Sequence, residues 1–223
     1  KYQQRSRRCK PWYRCNSHRM SEDIILYNGP TSPFGRKCKI TALLLEIEHR
    51  EEKINIYKSR FLDEFNPLRQ VPTLLVNNTT ISDSDNICLY FDSISNKNSL
   101  YPQKRYWECM TMISVANGIM ENAVNRFIEM SAIPENEQRP KAISRYEKKI
   151  LRSIEWIENK FEEFASDELT MDQISVACAL DYTIFRYTKD WSINCPNLNQ
   201  WLDRITKLDI MKSTLPGVSF KYE

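Results

Sequence analysis

The most informative part of this chain is the stretch Asn66-Pro67-Leu68-Arg69-Gln70-Val71-Pro72-Thr73-Leu74-Leu75-Val76, together with the later pair Asp83-Ser84. Proline removes a hydrogen-bond donor from a strand, so it is confined to edges, first positions and bulges. Pro72 directly precedes the strand-like run Thr73 to Val76, which predicts a turn that feeds a strand. A cis Val71-Pro72 bond would turn the backbone N–H and C=O of Val71 outward, where they could pair with an extended peptide.

Asp83-Ser84 stands at the start of a helical pattern, where free backbone N–H groups receive anions. A backbone-pairing site and a carboxylate site so close together in the chain indicate a small peptide ligand. Between them, Thr73–Val76 and Thr80–Ser82 flank Asn77-Asn78. Both asparagines tolerate left-handed backbone, so this segment is predicted to be a hairpin.

The residues around the hairpin predict alternating strands and helices. Ser32-Pro33 has the form of a helix N-cap followed by a first-turn proline. The predicted elements are a strand over 24–27, a helix over 34–48, a strand over 53–57, a short helix over 60–65 and, after the hairpin, a helix over 84–93. This order, βαβαββα, is that of a thioredoxin-like unit.

After the polar run Ser95-Asn96-Lys97-Asn98-Ser99, the apolar spacing is helical throughout. Thr170-Met171-Asp172-Gln173 predicts a capping box, in which the Thr170 hydroxyl accepts from the Gln173 N–H and the Gln173 side chain returns. We therefore expect an α/β domain over 22–95, a linker over 96–103 and an all-helical bundle over 104–223.

Residues 1–20 carry seven of the 32 basic residues and no acidic one. The remaining 25 basic residues face 29 acidic ones, so the body is mildly acidic and predicts no nucleic-acid partner. The segment 1–19 is interpreted as upstream or appended sequence, a targeting segment or a basic arm, and is left out of the predicted fold. Its Cys9, Cys15 and His18 do not have zinc-site spacing, so no metal is expected.

Several classes of protein are excluded by composition. The chain has only four glycines, which rules out the glycine-rich loops of dinucleotide-binding and P-loop proteins. No apolar run approaches the roughly 18 residues of a membrane span. The cysteines are scattered and never form Cys-x-x-Cys, which favours buried thiols in a reducing compartment, so a cytoplasmic location is expected.

The order of these motifs resembles the glutathione transferase superfamily, over roughly residues 23–215. The likeness rests on Ser32-Pro33-Phe34-Gly35-Arg36-Lys37, Asn66-Pro67-Leu68-x-Gln70-Val71-Pro72-Thr73-Leu74, Asp83-Ser84-x-x-Ile87-Cys88-x-Tyr90-Phe91-Asp92 and the Thr170 cap before Ala177-Cys178-Ala179-Leu180. The Ser-Pro-Phe start is similar to the bacterial and plant tau-class enzymes of the serine type. The resemblance implies a homodimer that takes glutathione as cosubstrate.

The same resemblance implies a role for individual residues. Val71 would pair its backbone with the cysteinyl residue of glutathione. Ser84 would hold the γ-glutamyl carboxylate, Asp83 the α-amino group and Lys58 the glycyl carboxylate. Ser32 would donate a hydrogen bond to the sulfur and so favour the thiolate, although a serine before proline is also a standard N-cap. Ser84 could likewise be the cap of its own helix.

Phe34 and Gln70 complete the implied glutathione-binding set, and Pro72 would be a structural cis-proline. A small hydrophobic electrophile would lie between Thr31 and Phe34 and the next long helix. The residues on that helix wall are Trp107, Met110, Ile113, Asn117 and Met120, most of which we expect in the core. Peroxidase or isomerase chemistry remains open within the enzyme interpretation.

Two departures from the family pattern bear on the mechanism and on whether the protein is an enzyme at all. Position 32 is serine rather than cysteine, which disfavours a mixed-disulfide mechanism. Asp85 places a second carboxylate beside the predicted carboxylate site, where like-charge repulsion could weaken binding. The leading hypothesis is a glutathione transferase, and the alternative is a non-catalytic interaction protein of the same fold.

Overall fold

Strands from the first third of the chain form a mixed sheet in the order β2-β1-β3-β4. They are β1 (Ile24–Asn28), β2 (Arg50–Lys53), β3 (Thr73–Val76) and β4 (Thr79–Ser82). The computed structural model describes residues 23–166 and 168–216, so the predicted N-terminal extension 1–19 lies outside the described residues. β1 and β2 run parallel, whereas β3 is antiparallel to both β1 and β4.

The predicted hairpin is confirmed. Val76 pairs with Thr79, so Asn77 and Asn78 form a two-residue connection between β3 and β4. Asn77 has a φ of 53°, a left-handed conformation that asparagine tolerates better than most residues. The choice of turn residues thus sets the register of the sheet.

The second strand was predicted in the wrong place. It occupies Arg50–Lys53, not residues 53–57, and every one of its residues is charged. β2 is an edge strand with β1 as its partner, and charged side chains are typical of edges that avoid further pairing. The apolar alternation that follows belongs instead to a loop, in which Ile54 packs beneath the sheet.

The helices that follow are α1 (Pro33–Leu44), α2 (Ser84–Ile94), α3 (Tyr106–Ser131), α4 (Pro140–Glu158), α5 (Phe161–Phe164), α6 (Met171–Arg186), α7 (Pro196–Ile205) and α8 (Asp209–Lys212). A thioredoxin-like domain therefore precedes an all-helical one, as the sequence predicts. In the part of the chain that is described, no helix combines the length and apolar character needed to cross a bilayer.

α1 ends four residues earlier than predicted, at Leu44 instead of Glu48. The N–H of Glu46 bonds to the Leu43 carbonyl, and the N–H of Ile47 bonds to the Ala42 carbonyl at 2.9 Å. These two bonds form a Schellman motif, which requires a left-handed residue at its turn. Glu46 fills that position with a φ of 54°, so no glycine marked the helix end in the sequence.

The helical domain packs against the sheet domain through α1. Arg36 on α1 donates to the Asp181 carboxylate at 2.7 Å and to the carbonyl of Met211 at 3.3 Å. A single cluster of contacting apolar side chains includes residues of both domains, from Ile24 in β1 to Met211 in α8. The two domains consequently share a core.

The predicted capping box at α6 is wrong in its contacts. Thr170 is the N-cap, but its hydroxyl donates to the Asp172 carboxylate at 2.6 Å. The Gln173 amide turns away and donates to the carbonyls of Phe164 and Glu168. Arg105 draws Asp172 into a salt bridge, and this long-range partner decides the local pattern.

Candidate functional site

The segments that carry the predicted site meet at one end of the sheet. Tyr27 of β1 pairs with Thr73 of β3, and Thr73 pairs in turn with Ser82 of β4. β3 therefore begins and β4 ends in one row of residues, and β1 ends one residue beyond this row, at Asn28. The turn to Ser32, the Val71-Pro72 pair and the Asp83-Ser84 pair all leave from this row, so the register alone brings them together.

Ser32 caps α1 and still has a proton to donate. Its Oγ accepts from the Gly35 N–H at 3.2 Å, which is the cap predicted from the sequence. A hydroxyl that accepts one hydrogen bond keeps its O–H free to donate. A Cβ at Gly35 would lie 1.6 Å from Oδ1 of Asn28, so no residue with a side chain fits at position 35.

The Val71 backbone is available for pairing. The Val71–Pro72 peptide bond is cis, and regular pairing of β3 begins only at Thr73. Within residues 23–166 and 168–216, no backbone hydrogen bond uses the N–H or C=O of Val71. A Cβ at Gly29 would lie 3.1 Å from the Val71 side chain and 3.5 Å from Cβ of Ser32, so Val71 and Ser32 approach each other across this glycine.

Asn66 holds the loop that presents Val71. The Asn66 side chain is buried, with its Nδ2 donating to the Gln70 carbonyl at 3.1 Å and to Oγ1 of Thr73 at 3.0 Å. Its Oδ1 accepts from the Leu68 N–H at 3.0 Å. This role of Asn66 was not predicted from the sequence. The signal was present, because asparagine bonding to the backbone two residues on is a known turn element.

Asp83, not Ser84, is the N-cap of α2. Asp83 Oδ1 accepts from the N–H groups of Asp85 at 2.8 Å and Asn86 at 3.5 Å, with Asp83 itself at a φ of 74°. The suggestion that Ser84 caps its own helix is therefore wrong. Ser84 is the first helical residue, is only 4% exposed, and has an N–H that lacks an intrahelical acceptor. It presents one free donor at a helix start.

Asp85 is paired, which the sequence did not reveal. Its carboxylate forms a salt bridge with Nζ of Lys37 and accepts from Nδ2 of Asn117 at 2.7 Å. Asn117 Oδ1 accepts from the same ammonium group at 2.9 Å. Burial tends to lower the pKa of Lys37, but Cys88 and Asp85 outweigh burial and hold this pKa above its usual value. We call Lys37, Asp85 and Asn117 the lysine triad.

The lysine triad changes the electrostatics expected beside the site. The second carboxylate does not stand unpaired next to Ser84, because a buried cation lies against it. Three helices, α1, α2 and α3, each contribute one member, so no local sequence pattern could have identified the set. The predicted like-charge repulsion from Asp85 is accordingly weakened.

The remaining predicted residues differ in how far they are buried. Phe34 is half-buried against the main core, whereas Lys58 and Gln70 are exposed in loops beside β2 and β3. On the wall of α3, Ile113 and Met120 are core residues, and Trp107 is 76% exposed. No group of three or more His, Cys, Asp or Glu in the described ranges is placed to hold a metal ion.

Comparison with known families gives two matches. Residues 31–94 match the family described as "Glutathione S-transferase, N-terminal domain", and residues 140–204 match "Glutathione S-transferase, C-terminal domain". Among curated proteins, the chain is similar to Glutathione S-transferase U3 of Arabidopsis thaliana. The two are 21% identical over 204 residues, which cover 87% of this chain and 89% of the relative.

Solved structures agree over most of the chain. A glutathione transferase family member from Pseudomonas fluorescens, crystallised with bound glutathione, is 26% identical and superposes with a TM-score of 0.82 over 88% of this chain and 100% of its own. A glutathione S-transferase from Methylobacillus flagellatus, also with glutathione bound, is 24% identical with a TM-score of 0.81, covering 87% and 100%. The latter likeness concerns the fold alone.

Proposed function

The chain belongs to the glutathione S-transferase superfamily, and from this premise we propose that it binds glutathione and activates the thiol for attack on a small hydrophobic electrophile. One observation carries the proposal. A free hydroxyl proton, an unpaired strand backbone and a free helix N–H converge at one end of the sheet, on Ser32, Val71 and Ser84. These are the groups that a small peptide with a thiol and a carboxylate requires.

The ligand would be held by its backbone and by its ends. Val71 offers an N–H and a C=O to the cysteinyl residue, as a strand edge does. Ser84 offers its N–H to the γ-glutamyl carboxylate, and Asp83 a carboxylate to the α-amino group. Lys58 and Gln70, which are both exposed, would bind the outer part of the peptide, and Phe34 would contact the ligand beside Ser32.

Ser32 is proposed as the catalytic residue because of what the thiol needs. A free thiol has a pKa near ~8.5, and lowering it by about two units requires roughly 2.7 kcal/mol of preferential stabilisation of the anion. The Ser32 O–H can donate to the sulfur while its lone pair caps α1. The positive end of α1 adds to the same effect.

Asp85 was the residue that argued for the non-catalytic alternative. Because Asp85 is paired with the buried Lys37, its charge no longer argues against an anionic ligand nearby. Among the described residues, no other contact of the proposed site favours that alternative. The expected homodimer is a separate proposal, testable by sedimentation equilibrium.

Calorimetric titration with glutathione tests binding, and a Ser32 series tests catalysis. We expect heat at millimolar glutathione and an ultraviolet thiolate band for the bound ligand near neutral pH. Ser32→Ala and Ser32→Gly should both abolish the band. Glycine at an N-cap costs only a few tenths of a kcal/mol, so Ser32→Gly separates the loss of the donor from the loss of the cap. Absence of heat would refute the proposed function, and an unchanged band would reduce Ser32 to a cap.

A further inference from the structure

One face of α4 carries a dense group of exposed cations. At about 100° per residue, five basic side chains fall within an arc of about 100°. They are Lys141, Arg145, Lys148, Lys149 and Arg152, all of them exposed. The buried Ile150, Ile154 and Ile157 lie on the opposite side of the helix. We call the five cations the α4 stripe.

The charges of the α4 stripe are not neutralised by the fold. Two of the three acidic residues of α4 are engaged elsewhere: Glu147 pairs with Arg126 at 2.7 Å, and Glu158 accepts from the backbone of Asn197 and Leu198 at the start of α7. Across the described residues, no acidic side chain forms a salt bridge with a member of the stripe. The third acidic residue, Glu155, is exposed one turn after Arg152, so the stripe presents five cations to solvent with one carboxylate at its end.

We propose that the α4 stripe binds the phosphate backbone of a nucleic-acid duplex without reading its sequence. From residue 141 to residue 152 the helix rises about 16 Å, and a duplex carries one negative charge per ~1.7 Å of its axis. Several phosphates can thus face the stripe at once. Ser144, which lies between Lys141 and Arg145, adds a hydroxyl of the kind that contacts phosphate oxygens.

The composition of this face favours a duplex over the other polyanions. Helices that lie on anionic membranes insert an apolar face, but the apolar face of α4 is packed in the core. None of the large exposed apolar side chains belongs to α4, so the stripe offers no wedge for a bilayer. Single strands are held by exposed aromatic platforms. The aromatic residue that follows the stripe on this face, Trp156, is instead half-buried against the core, with the Lys160 ammonium 5.3 Å from its ring centroid. Cations and a hydroxyl alone suit a duplex backbone.

The mildly acidic net charge of the chain body predicted no nucleic-acid partner. Net charge, however, averages over the whole surface and does not show where the charges lie. The stripe concentrates five cations on one helix face, where a local potential exists whatever the total charge. None of the stripe residues lies on the elements that form the proposed glutathione site. Binding there and glutathione chemistry are therefore separable by mutation.

The test compares two triple variants of the full chain with the same change in net charge. The stripe variant is K141Q/K148Q/R152Q, and the control variant is K104Q/R204Q/K207Q, which neutralises three exposed cations elsewhere. Affinity for a fluorescent duplex is measured by anisotropy between about 50 and 200 mM salt. Neutralising three phosphate contacts should reduce the slope of log affinity against log salt by about 2.7, while the control keeps the wild-type slope.

The outcomes decide between occupants. Equal slopes for the two variants would overturn the proposal, because binding would then follow total charge or residues 1–20. Retention of the full chain by phosphatidylserine vesicles, with no binding to the duplex, would overturn it in favour of a membrane. Glutathione titration of the stripe variant should match wild type. If wild type fails that titration but shows the stripe-dependent slope, the proposed enzymatic function fails and this proposal stands.

Discussion

The side chain of Lys37 shows how a single residue can matter without any sequence signal. Its ammonium group is fully buried, while the Asp85 side chain that pairs with it is 27% exposed. A buried charge is tolerated only where it is paired and hydrogen-bonded. The carboxylate and the Asn117 amide supply this pairing, so the lysine triad joins α1 to α2 and α3 directly behind Ser84.

The difference in burial predicts an asymmetry between the two partners. Asp85→Asn leaves an uncompensated buried ammonium, and we expect a loss of about 3 kcal/mol in the free energy of unfolding. Lys37→Met leaves a carboxylate that keeps water and Asn117, so the expected loss is about 1 kcal/mol. Urea titration of both variants measures the difference.

Lys39→Met serves as the control for the lysine triad. Lys39 pairs with Glu51 at 2.8 Å, but both side chains are partly exposed, so its loss should cost under about 1 kcal/mol. If Lys37→Met loses more free energy of unfolding than Asp85→Asn, this prediction is wrong. An unpaired lysine charge would then not be the main cost of breaking the pair. The double variant K37M/D85N should recover most of the stability lost in Asp85→Asn.

Prediction from sequence succeeded where a residue acts on its immediate neighbours. Ser32 caps its helix because serine before proline suffices for that role. Asn77 turns the hairpin for an equally local reason. The pairing of Asp85 with Lys37, 48 residues apart, depends on how three helices pack. The sequence therefore did not show that the Asp85 carboxylate is paired.

At the scale of the elements, the C-terminal end of α1 is set by a residue in an unfavourable backbone conformation. Glu46 occupies the left-handed position of the Schellman motif, where a side chain costs roughly 1 kcal/mol that glycine would not. Its salt bridge with Lys97 is exposed and contributes little. The helix end is thus imposed by the packing of Ile47 against the core.

Glu46→Gly should therefore stabilise the protein. We expect a gain of about 0.5 to 1 kcal/mol and a rise in Tm of about 2 °C for a chain of this size. Differential scanning calorimetry measures both. Glu46→Ala removes the same charge but keeps a Cβ, so it should bring no gain. Equal stabilisation by the two variants would assign the effect to charge and contradict the conformational argument.

The contrast between local and long-range contacts also explains which elements were located correctly from the sequence. β3 was predicted to the residue, because Pro72 and the two asparagines bound it on either side. β2 was misplaced because an all-charged edge strand has no apolar alternation, whereas the segment that follows it, with Ile54 and Ile56, does. The contacts of the α6 cap were wrong because Arg105, far away in the chain, competes for Asp172.

Considered as a whole, the molecule has a main core to which both domains contribute, beside a smaller apolar cluster within the sheet domain. Cys178, in the centre of α6, belongs to the apolar cluster that also contains Leu26 and Leu74 of the sheet. Arg36 ties α1 to α6 at the same interface. We therefore expect the two domains to unfold in one transition, and a change at Cys178 to register in the stability of the entire protein.

The pH dependence of stability follows from that buried thiol. Burial, more than any neighbouring charge, raises the pKa of Cys178 to about 11. In the unfolded chain the thiol titrates near ~8.5, so above this pH the unfolded state loses its proton first and stability falls until about pH 11. Between pH 8 and pH 10 this thiol alone should lower the free energy of unfolding by about 2 kcal/mol.

Urea titrations of wild type and Cys178→Ala, at pH 6, 8 and 10 under reducing conditions, isolate this contribution. The other titrating groups are common to both proteins and cancel in the difference between them. From pH 6 to pH 8 the two stabilities should change in parallel, because the thiol is protonated in both the folded and the unfolded state over most of that range. By pH 10 the wild type should have lost about 2 kcal/mol more than Cys178→Ala. If the two curves stay parallel to pH 10, the thiol ionises as readily in the folded protein as in the unfolded chain. The core at α6 would then admit water, and the shared interior of the two domains would be looser than its packing indicates.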